Sequence, residues 1–133
     1  MPGRITPLVN DQFYHIYNRG SEKRKIFTKP RDYNRFQQTF YYYQFLGPKP
    51  KFSNYGNSSI NLFKPDPLRK LVDVISYCLM PNHFHFLIKQ LKDGGTSIFM
   101  SQLSNSYTKY FNTKYKRVGP LFQGAFKAVL MES

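Results

Sequence analysis

The sequence is short of acids. Seven Asp and Glu stand against 20 Lys and Arg, a formal net charge of +13 over 133 residues. An excess of that size marks a polyanionic partner, either nucleic acid or an acidic membrane surface. It leaves no constellation of paired carboxylates, which argues against a two-metal nuclease built on acidic ligands. Between positions 94 and 131 no acid occurs, while Lys109, Lys114, Lys116, Arg117 and Lys127 do. Cysteine is nearly absent. Cys78 is alone and cannot form an internal disulfide, so a reducing cytoplasm is the expected compartment. No run of ~18 apolar residues exists, so no membrane span is expected. Residues 1–6 lack the apolar core of a signal peptide, and no internal repeat is visible. Tryptophan is missing, yet 13 Phe and 11 Tyr raise the aromatic content to 18%. Basic charge together with tyrosine and phenylalanine favours nucleic acid over membrane, because aromatic faces stack on unpaired bases. The length and the 41% hydrophobic content fit one domain, residues 1–133, with a proper core.

What is present is organised around Met80-Pro81-Asn82-His83-Phe84-His85-Phe86-Leu87-Ile88-Lys89. Proline and asparagine are placed for a reverse turn, and an alternating strand follows. Successive strand side chains point to opposite faces, so His83, His85 and Leu87 share one side while Phe84, Phe86 and Ile88 share the other. Imidazoles two residues apart on a strand lie ~6–7 Å apart at Cα, close enough for their nitrogens to converge on one metal ion. Two imidazoles do not complete a site. His15, on an earlier strand, and Asp73, on the neighbouring one, are the in-chain candidates for a third ligand. Imidazole pairs suit transition metals. Magnesium or manganese also fits where phosphate oxygens and water fill the remaining positions.

Around this block the pattern predicts strand, helix, strand, strand, helix, strand. Residues 13–17 are β-prone and end at Asn18-Arg19-Gly20-Ser21. That turn runs into Lys23 and Arg24, a basic cluster suited to phosphate contact, with Gly20 letting the backbone approach a ligand. Residues 30–46 read as a helix, with Pro30 in its first turn and Asp32 at the positive end of its dipole. Its stripe of Tyr33, Phe36, Phe40 and Tyr43 faces a core. Residues 47–70, rich in proline and lysine, read as a long basic loop. Residues 71–79 form a strand hairpinned to residues 83–89. A second helix runs from a Thr96 N-cap to about residue 115, with Phe99, Leu103, Tyr107 and Tyr110 on one stripe. Residues 122–131 read as the last strand. The economical solution is an α+β, ferredoxin-like antiparallel sheet with both helices on one face and His83 and His85 on the other. A metal beside a basic surface suggests phosphoryl transfer on nucleic acid, and a tyrosine could store the bond energy as a phosphotyrosine.

These blocks resemble the single-tyrosine transposases of the HUH (His-hydrophobic-His) class, most closely the REP-associated tyrosine transposases. Tyr14-His15-Ile16-Tyr17-Asn18-Arg19-Gly20 and the Pro81-Asn82-His83-Phe84-His85 block match. So do Tyr110-Phe111-Asn112 through Arg117, and Gly119-Pro120-Leu121-Phe122-Gln123-Gly124-Ala125-Phe126-Lys127. They occur in family order from Phe13 onward. The resemblance implies an HUH domain that binds single-stranded DNA, often with hairpins, with His83 and His85 as metal ligands and Arg19 and its neighbours at the DNA-recognition end. The basic residues expected at DNA are Arg19, Lys23, Arg24, Lys116, Arg117 and Lys127, together with Asn18. In such proteins a tyrosine on a helix after the last strand attacks the phosphate, and a polar residue one turn later is the third ligand. The chain ends at Ser133, where that helix should begin, so both are expected beyond Ser133 and the chain is expected to be catalytically incomplete, as from a truncated gene. Tyr107 and Tyr110 are the in-chain fallback nucleophiles. Alanine at 125 replaces a usual arginine, which removes one phosphate contact. The rival readings are a non-catalytic single-stranded nucleic-acid-binding module and a histidine-metal enzyme acting on a small molecule. The oligomeric state is left open.

Overall fold

In the computed structural model, residues 7–46 and 66–132 are described. The chain forms β1 (Phe13–Arg19), α1 (Pro30–Tyr43), β2 (Val72–Met80), β3 (His83–Gln90), α2 (Gly95–Tyr115) and β4 (Lys127–Met131). The strands make one four-stranded sheet in the order β2-β3-β1-β4, and every neighbouring pair is antiparallel. This is the ferredoxin-like α+β arrangement that the alternation of elements predicts.

Alternation along the strands decides which face is closed. Tyr14 and Ile16 of β1 and Phe84, Phe86 and Ile88 of β3 are buried, as are Phe36 and Phe40 of α1 and Phe99, Leu103 and Tyr107 of α2. Phe36 stacks on Phe86 with ring centroids 6.0 Å apart, and Phe99 packs edge-on against Phe86 at 6.0 Å. Both helices therefore lie on the phenylalanine face of β3. Truncating the fully buried Phe36 to alanine would cost ~3–5 kcal/mol.

A polar clamp joins the helices. Asp32, in the first turn of α1, is fully buried and accepts hydrogen bonds from the Thr28 backbone N–H, Tyr110, Tyr115 and Lys114. Burial pushes its carboxyl toward a higher pKa, but the hydrogen bonds from Tyr115, Thr28, Tyr110 and Lys114 outweigh it and hold it well below the usual range.

Three expectations need correction. Thr96 does not cap α2. Gly94 holds the N-cap position in a left-handed conformation, and the buried Gln90 side chain accepts the Thr96 N–H at 3.1 Å. The last strand starts at Lys127, not at 122, because Phe122 makes only an isolated bridge to Gly20 and Gly124 adopts φ +63°. Of the expected basic loop, residues 47–65 lie outside the described residues. Residues 66–70 carry a short 3-10 turn, Pro67–Arg69, capped by the Asp66 side chain.

Candidate functional site

The uncovered face of the sheet carries the other half of the alternation. Antiparallel register sets Tyr17 opposite His85, His15 opposite Leu87 and Arg19 opposite His83. Lys127 of β4 lies opposite Tyr17 on the other flank. At this end of the sheet Tyr17, Asn18, Arg19, His83, His85, Gln123 and Lys127 line a pocket of about 500 Å³. No acid is among them.

The rim is stitched from three segments distant in sequence. Gly20 N–H donates to the Asn82 carbonyl at 2.9 Å, Ser21 N–H to Leu121 at 2.8 Å and Gln123 N–H to Arg19 at 2.9 Å. The Asn18 side chain donates to the Gly124 carbonyl at 3.1 Å and accepts the Arg19 N–H. Asn18 is buried, and its amide is spent on this scaffold rather than held out toward a ligand. Gly20 serves close approach to its own chain. A Cβ there would collide with the Arg24 carbonyl oxygen, so glycine is needed for packing within the chain itself.

The rings are ordered. The His83 and His85 ring centroids are 5.1 Å apart and nearly perpendicular. His83 Nδ1 lies 2.7 Å from Asn82 Oδ1, and His85 Nδ1 lies 2.8 Å from His15 Nε2. Tyr17 stacks on His15 at 4.9 Å and on His85 at 5.9 Å. Burial, followed by the proximity of His15 and His83, pushes the His85 pKa below its ordinary value. The shift favours the neutral ring, the form a cation requires.

The structure separates the predicted residues. His83, His85, Arg19, Asn18 and Lys127 meet at one pocket. Lys23 and Arg24 are exposed on the loop after β1. Lys116 and Arg117 follow α2, where Arg117 is held by Asn112 Oδ1 at 2.5 Å and the Pro120 carbonyl at 3.1 Å. Burial, and then nearby Arg24, lower the Arg117 pKa, so the two basic segments approach one another. Asp73 does not join the histidines: it stands opposite Lys89, at the other end of β3, and pairs with Lys70 at 2.5 Å. His15 is next to His85, but its Nε2 faces the partner ring rather than a shared centre. Neither fallback nucleophile reaches the pocket. Tyr107 is buried on the helical side and donates to the Ile26 carbonyl, and Tyr110 donates to Asp32. Burial first, then Asp32, raises the pKa of both, the reverse of nucleophile activation.

Tyr17, Asn82 and Gln123 are site residues that sequence reasoning did not single out. For Tyr17 the signal was available, since it shares the period-2 face of His15. Asn82 and Gln123 become visible only once the turns are closed.

As a place for a divalent ion, the donor set is partial but coherent. His83 and His85 have their Nδ1 atoms engaged. Among the described residues no group of three His, Cys, Asp or Glu is arranged to hold a metal. An ion here would complete its shell with phosphate oxygens and water, which manganese and magnesium accept.

Among the described residues no helix is long and apolar enough to cross a membrane. The chain matches no curated protein. Of solved structures, a REP-associated tyrosine transposase bound to a REP hairpin aligns with a TM-score of 0.58 at 10% identity. The alignment covers 100% of this chain, which thus spans only 64% of that one. A protein assigned as a transposase in Deinococcus radiodurans R1 aligns with a TM-score of 0.58 and 10% identity, over 99% of this chain and 86% of that one. At such identity the likeness speaks to the fold. Membership rests on the sequence itself: the model of the IS200-like transposases matches residues 60–131, more than half of the 133, and the chain belongs to that family.

Proposed function

We propose that this protein is a single DNA-binding transposase module that lays single-stranded or hairpin DNA across the uncovered face of its sheet. His83 and His85 would hold a magnesium or manganese ion against a backbone phosphate. The observation that carries this reading is the acid-free pocket joining both imidazoles to Arg19 and Lys127. Guanidinium and ammonium groups neutralise phosphates. When bound, the ion supplies polarisation of a phosphate oxygen. Lys23, Arg24, Lys116 and Arg117 extend the positive surface beyond the pocket, and Asn18 keeps its wall in place. The hairpin in the REP-associated neighbour supports DNA as the partner. The exposed, unpaired Cys78 suits a reducing cytoplasm.

In the full family reaction, nicking and strand transfer pass through a phosphotyrosine. Tyr107 and Tyr110 are committed to the helical side, so the roles proposed for the described residues are DNA binding and metal holding. The test is a fluorescent single-stranded hairpin titrated with protein, then incubated with manganese. Binding that weakens steeply with salt, without covalent attachment, is expected. Efficient covalent attachment would overturn that assignment of roles, and salt-independent binding would overturn the DNA reading. A second reading, a non-catalytic single-strand-binding module, draws on Tyr17, an aromatic ring on the uncovered face. Loss of binding in Tyr17→Ala, with no response to chelation or to His83→Ala, would favour it.

A further inference from the structure

We infer that His15 is a positioning residue for the metal pair: its Nε2 accepts the Nδ1–H of His85 and so turns the His85 Nε2 lone pair outward. The inference rests on the proposed metal role of His83 and His85 and adds to it the residue that sets their chemistry.

The argument begins with His83, whose partner atom is an oxygen. Asn82 Oδ1 is a carboxamide oxygen and only accepts. Its 2.7 Å contact therefore requires a proton on His83 Nδ1, and a neutral ring protonated there has its lone pair on Nε2. His85 has no such oxygen. Its Nδ1 meets another imidazole nitrogen, His15 Nε2, at 2.8 Å. One of the two must donate. If His15 donated, the neutral His85 ring would carry its proton on Nε2 and have no lone pair for a cation there. If His85 donates, both members of the pair present Nε2, the same atom on two rings 5.1 Å apart. Two ligands offering equivalent nitrogens is the arrangement a shared ion uses, and outer partners of this kind fix ligand tautomers. The His15 and His85 rings lie within 17° of parallel, and Tyr17 stacks on both, so orientation is held as well as protonation. The sheet makes the contact rigid, since β1 and β3 are adjacent central strands.

The test uses His15→Phe, which keeps a stacking ring and removes the acceptor, and His15→Gln, whose amide oxygen can take the place of Nε2. Manganese affinity is read by electron paramagnetic resonance titration, and the His85 tautomer by long-range nitrogen–proton correlation in the metal-free protein. The wild type should show His85 protonated on Nδ1. His15→Phe should lose that signature and bind manganese about 10–100-fold more weakly, while His15→Gln should stay close to wild type in both. A wild-type His85 protonated on Nε2, or a His15→Phe protein that keeps wild-type tautomer and affinity, would overturn the inference. Should the wild type bind no manganese, the metal reading itself fails, and the tautomer measurement still decides what His15 does. Amide spectra of each variant separate misfolding from either outcome.

Discussion

The two faces of the sheet use polar groups in opposite ways. On the covered face Asp32 is enclosed and its oxygens are consumed by Thr28, Tyr110, Tyr115 and Lys114. On the uncovered face His83 and His85 are tied, among the described residues, through Nδ1, and Arg19 and Lys127 stand at the pocket without an acid among its lining. A saturated polar group contributes stability, whereas one with bonding capacity to spare is available to a ligand. The difference lies in what packs above each face, since residues one apart on β1 and β3 are assigned to opposite roles.

If that division holds, damage to each face should have a separate signature. The largest effect is expected from Asp32→Ala, which takes the shared carboxylate away from Lys114, Thr28 and two tyrosine hydroxyls. A loss of ~3 kcal/mol in urea unfolding is expected from the lost hydrogen bonds to a charged group, with DNA affinity per folded molecule unchanged. Next comes acid. The Asp32 carboxyl has a depressed folded-state pKa. Its contribution is complete above the unfolded carboxylate value of ~3.9 and is lost as pH falls through the lower folded value. Wild-type stability should therefore drop on acidification below about pH 4, and Asp32→Asn should flatten that limb. A wild-type acid limb identical to that of Asp32→Asn would break the assignment. On the other face, His83→Ala with His85→Ala should abolish manganese binding in calorimetry while shifting unfolding by only ~0.5 kcal/mol. Smallest, Lys127→Ala should leave stability intact, weaken hairpin binding evenly across sequences and reduce the salt slope by about 1.

Much of the uncovered face was legible in advance because strand alternation is a local rule. His83 and His85 on one side, and Phe84 and Phe86 on the other, follow from reading β3 alone. The place of His15 needed the register between β1 and β3, which a single strand does not encode. Asp73 illustrates the same limit. It is on the adjacent strand and on the correct face, yet pairing sets it opposite Lys89. The Asp32 clamp was read as a dipole effect, since its partners Tyr110, Lys114 and Tyr115 lie on the other helix, some 80 positions along the chain. The cap of α2 was missed for a related reason. Threonine before a helix is a good local signal, but here a strand residue, Gln90, supplies the acceptor. The overlong last strand came from counting β-prone residues across Gly124, whose positive φ interrupts them.

The placement of Lys127 carries one more consequence. β3 is clasped between two neighbours, whereas the five-residue β4 leans on β1 alone. One wall of the pocket thus belongs to the interior of the sheet and the other to its edge. Damage to the edge strand should therefore reach Lys127 before it reaches the imidazole of His85, whose strand is held from both sides.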